Sequence, residues 1–120
     1  MNYAFPPHVN NPPTVSVIGY SGHRYTLQAY PFRSRFIDRP GIYVFARLIH
    51  GTHWQPLYVG QSSSLENRLW TNASTHTAMI QAEKLGATHT CVAFTFGSDA
   101  DRFAMETDIR RALIPPLNQQ

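Results

Sequence analysis

The chain has 120 residues, 42% of them hydrophobic, which suits one modest core and is too short for two domains. No apolar run approaches the roughly 18 residues of a membrane span, no charged-then-apolar leader opens the sequence, and the single cysteine excludes an internal disulfide, so we expect a cytoplasmic protein. The formal net charge is +3, with nine arginines against one lysine, and arginine favours bidentate contact with phosphate. Charge alone does not separate a nucleic-acid binder from a protein that is merely soluble.

The first forty residues divide into an arm and a hairpin. Residues 1–13 carry four prolines and Asn-rich points, which predicts a flexible arm or a segment draped over the domain. Residues 15–20 and 25–30 alternate between apolar and polar positions, and Ser21-Gly22 supplies turn chemistry between them. We therefore predict a β-hairpin within an extension that covers residues 14–40.

Residues 24–47 hold five arginines against one acid, Asp38. The arginines are interleaved with aromatic residues, a pattern typical of a nucleic-acid-contacting surface. A solvated hairpin whose arginine stems cover apolar surface explains the pattern equally well. Both interpretations stay open for this set: Arg24, Arg33, Arg35, Arg39 and Arg47.

Residues 41–69 form the most informative stretch. Apolar β-formers predict strands over 42–49 and 57–60, joined by a loop that we expect to be enlarged. A Ser-rich loop then leads to a helix opening at Leu65, with Ser63 and Glu66 as a capping box. A helix amino terminus favours phosphate, so this loop is a candidate nucleic-acid contact through Gly60, Gln61 and Ser62. His50 and His53 are spaced like metal ligands, but no Cys or second His pair accompanies them.

The carboxyl-terminal third is predicted to form a helix, a strand and a second helix. Residues 78–85 predict a short helix stopped by Gly86, and residues 88–96 a strand. Ser98 and Asp101 then signal a helix start. Glu106 lies beside the apolar stripe of that helix, where a carboxylate needs a partner. It either holds a metal ion or pairs with an arginine one turn away, Arg102 or Arg110.

The central stretch also resembles the GIY-YIG nuclease family, whose defining tripeptides occur here as Gly41-Ile42-Tyr43 and Tyr58-Val59-Gly60. The other landmarks follow in order: Arg68 eight positions after Gly60, Glu106 in a later helix, and Pro116-Leu117-Asn118 near the end. The resemblance covers residues 41–118 and leaves the first forty residues unexplained.

The resemblance implies a single α+β domain, a small central antiparallel sheet flanked by helices, with the hairpin added at one side. It implies a metal-dependent endonuclease that hydrolyses phosphodiester bonds, with DNA favoured over RNA. One divalent ion, Mg²⁺ or Mn²⁺, would be held by Glu106. Arg68 would stabilise the transition state, Tyr43 or Tyr58 would position and deprotonate the attacking water, and Asn118 would tie the chain end to the site.

Two departures from the family pattern leave alternatives. Asn72 stands where members often carry Tyr or His, and Gln61 where the excision-repair members have lysine. His76 would fall on the same face as Arg68 if the helix were continuous, and would then supply the missing group. A catalytically inactive nucleic-acid-binding module and an RNA-cleaving, toxin-like nuclease are the other readings. The oligomeric state stays open, with a dimer conceivable because one site cuts one strand.

Overall fold

A computed structural model describes residues 12–119. Its sheet has five strands in the order β1-β2-β5-β3-β4, and every neighbouring pair is antiparallel. This confirms the predicted class, a small α+β fold built on an antiparallel sheet. The strands are β1 (Thr14–Ile18), β2 (Arg24–Pro31), β3 (Gly41–Ile49), β4 (His53–Ser62) and β5 (His89–Phe94).

The amino-terminal hairpin is present and belongs to the same sheet. Strands β1 and β2 pair through a turn in which Gly22 has a φ of 90°, a conformation that glycine adopts at little cost. Strand β2 then pairs with β5, so the hairpin extends the sheet at one edge. The predicted arm falls mostly on residues 1–11, outside the described residues. Pro13, the last residue of the predicted arm, is bound to the sheet, because its carbonyl accepts a hydrogen bond from the Ala29 amide of β2.

The tip of the second hairpin is tight, so the predicted enlargement is wrong. Pairing between β3 and β4 continues to Ile49 opposite His53. His50 and Gly51 both have positive φ, and the Thr52 amide donates to the Ile49 carbonyl, as in a type I′ turn. The residues between Tyr43 and Tyr58 lengthen the two strands and form a bulge between Phe45 and Ala46.

Two α-helices flank the sheet, α1 (Thr77–Lys84) and α2 (Asp99–Leu113). Helix α2 begins with the predicted capping box, in which Ser98 and Asp101 each bond the other's backbone amide. Helix α1 ends just before Gly86, whose φ is 89°. Between β4 and α1 the chain makes a π-helical turn (Asn67–Thr71) and a short 3₁₀ turn (Ala73–Thr75).

The cap of the π-helical turn differs from the prediction. The Ser64 side chain, not Ser63, accepts a hydrogen bond from the Asn67 amide. Glu66 does not reach back to the backbone, because its carboxylate pairs with Arg35 at 2.9 Å. The helical path does start at Leu65, as predicted.

Each face of the sheet buries its own core because side chains alternate along a strand. We call the first the loop-side core; it is covered by residues 65–85 and includes Tyr30, Phe36, Tyr43, Phe45, Leu57, Leu65, Leu69, Met79 and Val92. We call the second the helix-side core; it packs under α2 and includes Val17, Leu27, Ile42, Val44, Val59, Cys91 and Ile109. Within residues 12–119, no helix is long and apolar enough to cross a membrane.

Candidate active site

The two motif tripeptides meet on neighbouring strands, with Tyr43 directly opposite Gly60. A side chain at Gly60 would overlap the Tyr43 ring and its hydroxyl, so the close approach requires glycine there. Tyr58 lies on the same face and is half-buried, whereas Tyr43 is only 1% exposed. Tyr43 is therefore the inner member of the pair and Tyr58 the member that borders solvent.

His76 joins these tyrosines by a route that the sequence did not predict. The helix breaks at Asn72, which ends the π-helical turn and is exposed, so Arg68, Asn72 and His76 do not share one continuous helix. His76 instead occupies the cap position of α1, and its ring turns into the core with no exposed surface. Its Nε2 lies 2.7 Å from the Tyr43 hydroxyl.

Four rings pack together around this contact. The His76 ring centroid lies 5.8 Å from that of Tyr43, 5.8 Å from that of Tyr58 and 5.4 Å from that of Phe45. We call these four residues the aromatic cluster: Tyr43, Phe45, Tyr58 and His76. The polar pair is thus enclosed by close packing, which holds interior side chains in defined rotamers.

The hydrogen bonds of His76 fix which nitrogen carries the proton. Its Nδ1 accepts the Met79 backbone amide at 3.2 Å, so Nδ1 bears no hydrogen. In the neutral ring the hydrogen is then on Nε2, which donates it to the Tyr43 hydroxyl oxygen. The Tyr43 hydroxyl is left free to donate its own hydrogen. His76 thus orients Tyr43 and does not accept its proton.

Arg68 supplies positive charge beside this pair. Burial, and after it the charge of Arg68, lower the pKa of His76 from 6.5 to about 4, so the ring is neutral at pH 7. Burial and the Tyr58 hydroxyl raise the pKa of Tyr43, while Arg68 lowers it through its charge and a hydrogen bond. The effect of burial on this pKa is larger than that of Arg68, so Tyr43 remains a neutral phenol.

Arg68 is half-buried, and no acidic side chain within residues 12–119 forms an ion pair with it. A half-buried cation without an acid favours binding of an anion from outside the chain. The phosphate of a nucleic acid is an anion that matches a planar guanidinium.

Asn118 closes the outer edge of β4. Its side-chain oxygen accepts from the Val59 amide at 2.8 Å, and its side-chain nitrogen donates to the Val59 carbonyl at 3.0 Å. The predicted role of Asn118, tying the chain end to the motif, is present in the structure. The contact holds the second tripeptide in place and also blocks an exposed sheet edge.

Glu106 lies on α2, the helix that packs on the helix-side core. Of the two predicted arginine partners it pairs with Arg110, whose Nε lies 3.2 Å from Glu106 Oε1. Burial raises its pKa, and Arg110 partly offsets the rise. No hydrogen bond or ion pair in the described part of the chain joins Glu106 to Tyr43 or Arg68.

A divalent ion at Glu106 would have one protein ligand. Oε2 makes no hydrogen bond to any described residue, so one hard oxygen is available. Within residues 12–119 no three His, Cys, Asp or Glu side chains are grouped to hold a metal, and this includes His50 and His53. Mg²⁺ often keeps several waters and takes one or two carboxylates, so the donor fits Mg²⁺ or Mn²⁺ bound mainly by water.

Sequence reasoning considered Arg102 only as a partner of Glu106 and missed its burial, since it is 4% exposed. Its Nε donates to the Gln61 side-chain oxygen at 2.7 Å, and the guanidinium pairs with Asp99 at 3.0 Å. Arg102 therefore does not pair with Glu106 but joins the start of α2 to the end of β4. The signal was present in the sequence, because Arg102 precedes Met105 and Ile109 on the same helical stripe.

The predicted basic surface is partly committed to internal contacts. Arg33 pairs with Glu83 at 2.6 Å, and Arg35 pairs with Glu66 and lies over the Trp70 ring. The side chain of Ser62 is likewise engaged, since it bonds the backbone of Ser64. Arg39 and Arg47 are exposed, and neither forms an ion pair within residues 12–119. The set is thus divided between structural and free arginines.

Comparison with known proteins gives no match to a family model, a curated protein or a solved structure.

Proposed function

We propose that this protein is a metal-dependent endonuclease of the GIY-YIG type, acting on nucleic acid and on DNA in preference to RNA. The observation that carries the proposal is Arg68, a half-buried guanidinium without an acidic partner in the described chain, placed beside the buried Tyr43–His76 pair. Such a cation next to oriented hydroxyl groups suits a phosphodiester. The family resemblance supports the proposal through the motif residues alone.

The roles follow from the hydrogen bonds. Arg68 would contact a phosphate oxygen and stabilise the negative charge that develops in the transition state. Tyr58, at the solvent border, would orient the attacking water, and Tyr43 would fix Tyr58 from within. Because Nδ1 of His76 is already an acceptor and Tyr43 is protonated, we assign this pair to positioning and not to proton abstraction.

Glu106 would hold the divalent ion through Oε2, with waters as the remaining ligands. When bound, the ion would neutralise charge on the phosphate and on the leaving oxygen. Burial raises the pKa of Glu106 even with Arg110 beside it, so a second cation would further stabilise the ionised carboxylate. Arg102 and Asn118 would keep α2 and the chain end fixed against β4.

The test is a cleavage assay on labelled single-stranded DNA, duplex DNA and RNA, with Mg²⁺, Mn²⁺ or a chelator. We expect metal-dependent products from the wild type and none from Glu106→Gln. The matched control is Glu83→Gln, since Glu83 is also paired with an arginine but lies on α1, and it should cleave normally.

The outcomes separate the alternatives. Products from Glu106→Gln would contradict the assignment of Glu106. Binding without products in the wild type would instead support a non-catalytic binding module. Cleavage of RNA but not of DNA would replace the DNA preference with the RNA-cleaving reading.

A further inference from the structure

Two loops and the start of a helical turn come together at the end of the sheet where β3 begins. The Leu65 amide donates to the Arg39 carbonyl at 2.9 Å, and the Thr95 amide donates to the Pro40 carbonyl at 3.0 Å. The loop before β3, the loop after β5 and the start of the π-helical segment are therefore fixed to one another. Phe96 is carried by the second of these loops, directly after Thr95.

The strand register indicates where Arg39 and Phe96 lie relative to each other. Strands β3 and β5 are antiparallel with Gly41 opposite Phe94. The bond between Pro40 and Thr95 continues that register by one step, so the next pair is Arg39 with Phe96. Residues opposite each other in an antiparallel pair are close neighbours on the same face.

That face is the one that carries Tyr43. Side chains alternate along a strand. Continued two residues beyond β3 and β5, this alternation puts Arg39 on the side of Tyr43 and Phe96 on the side of Phe94 and Val92. Tyr43 and Val92 are both part of the loop-side core. The distance from residue 39 to residue 43 along an extended strand is about 13 Å, which is a span of a few nucleotides.

Both side chains lack a partner of the kind they need. Phe96 is 84% exposed, and its ring makes no aromatic contact within residues 12–119. Arg39 is exposed and forms no ion pair in the described chain. A free aromatic ring beside a free guanidinium offers one surface for a base and one charge for a phosphate.

We propose that Arg39 and Phe96 form a docking site for single-stranded nucleic acid next to the candidate active site, with a base stacked on Phe96 and a phosphate on Arg39. The proposal rests on the proposed function, since it names the form of nucleic acid that this site takes. The substrate is single-stranded at this position because a base in a duplex has both faces covered by its neighbours, whereas an unpaired base is free to stack.

Binding is measured by fluorescence anisotropy in chelator, which prevents cleavage. The probes are labelled oligodeoxythymidine and oligouridine of about 12 nucleotides, within the site sizes of such proteins, and a duplex of equal length. The variants are Phe96→Ala, Phe96→Trp and Arg39→Gln. The matched control is Tyr20→Ala, because Tyr20 is 69% exposed and has an arginine, Arg111, over its ring at 4.7 Å.

We expect Phe96→Ala to weaken binding of single strands by about 5- to 150-fold, the effect of one lost base-stacking contact. Phe96→Trp and Tyr20→Ala should bind like the wild type. Arg39→Gln should lower the slope of affinity against salt concentration by about 0.7, as expected for one phosphate contact on a single strand. The melting temperature should not change, since both side chains are exposed.

Equal affinity of Phe96→Ala and Tyr20→Ala for single strands would overturn the proposal, and so would a wild type that binds none of the probes. Failure of the nuclease is a separate result. If the wild type binds single strands without cleaving them and Phe96→Ala binds them more weakly, the proposed docking site is supported and the proposed nuclease activity is contradicted. If it cleaves and Phe96→Ala binds normally, the nuclease stands and the docking site does not.

Discussion

The two faces of the sheet use alternate residues of the same strands and bury different chemistry. Tyr43 and Tyr58 point to the loop-side core, where the neutral His76 ring and the half-buried Arg68 join them. Ile42, Val44 and Val59 point to the helix-side core, where Ile109 of α2 packs on them. The first face thus adds polar groups to an apolar core, whereas the core of the second face is mainly apolar.

The difference teaches how one short motif serves two purposes. In Gly41-Ile42-Tyr43 and Tyr58-Val59-Gly60, each middle residue packs under α2, and the tyrosines face the candidate site. Side-chain alternation makes this division automatic. Changes on the helix side should therefore affect stability, and changes on the loop side should affect chemistry and titration.

The largest expected effect lies on the helix side. Ile109 is fully buried, so Ile109→Ala should lower the free energy of unfolding by about 2–5 kcal/mol through lost burial and a cavity. Denaturant unfolding measures the loss, with the partly exposed Ile80→Ala as the control. The rate of cleavage per folded molecule should be unchanged. A reduced rate in fully folded protein would break the division between the faces.

On the loop side, Arg68→Met keeps an apolar stem and removes the charge. We expect the cleavage rate to fall by about 10²- to 10³-fold, as for other lost transition-state contacts, with little change in stability. The pKa of His76 should rise, because the charge of Arg68 lowers it in the wild type. NMR titration checks this rise without any assay of activity. A normal rate would remove Arg68 from the proposed chemistry.

His76 should make stability depend on pH. Its pKa falls on folding from 6.5 to about 4, so between these values the unfolded chain binds a proton that the folded chain refuses. Stability should therefore fall as pH drops from about 6.5 to 4, by about 3 kcal/mol in total. His76→Asn retains a capping side chain and does not titrate. The difference in slope between the two proteins isolates His76, and equal slopes would contradict the assignment.

The smallest effect concerns the bond between the hairpin and α2. The Asp108 carboxylate accepts hydrogen bonds from the Ser21 amide, the Ser21 hydroxyl and the Tyr25 hydroxyl. Burial, together with the hydrogen bond and charge of Asp108, raises the pKa of Tyr25 to about 12, so Asp108→Ala should lower this pKa. In Asp108→Ala, amide hydrogen exchange should speed up at Ser21 by more than at Tyr20. The Tyr20 amide keeps its acceptor, because it donates to the Asp108 main-chain carbonyl. Asp38→Ala serves as the control. Unchanged exchange at Ser21 in Asp108→Ala would show that the bonds between Ser21 and Asp108 do not stabilise the hairpin.

The elements that sequence predicted well are those set by neighbours in the chain. Both hairpins, the short helix before Gly86 and the Ser98–Asp101 cap are present because turn residues, caps and periodicity act over a few positions. The Ser63 cap was wrong by one residue, since Glu66 found a better partner in Arg35, far away in the sequence.

The sequence by itself determined the strand pattern and the candidates Tyr43, Tyr58, Arg68 and Glu106. Only the tertiary structure decided that His76 reaches Tyr43 through a helix cap, that Arg102 binds Gln61, and that Glu106 pairs with Arg110. The physical reason is that propensities and caps depend on adjacent residues, whereas the partner of a buried polar group depends on which distant segment the packed core brings beside it.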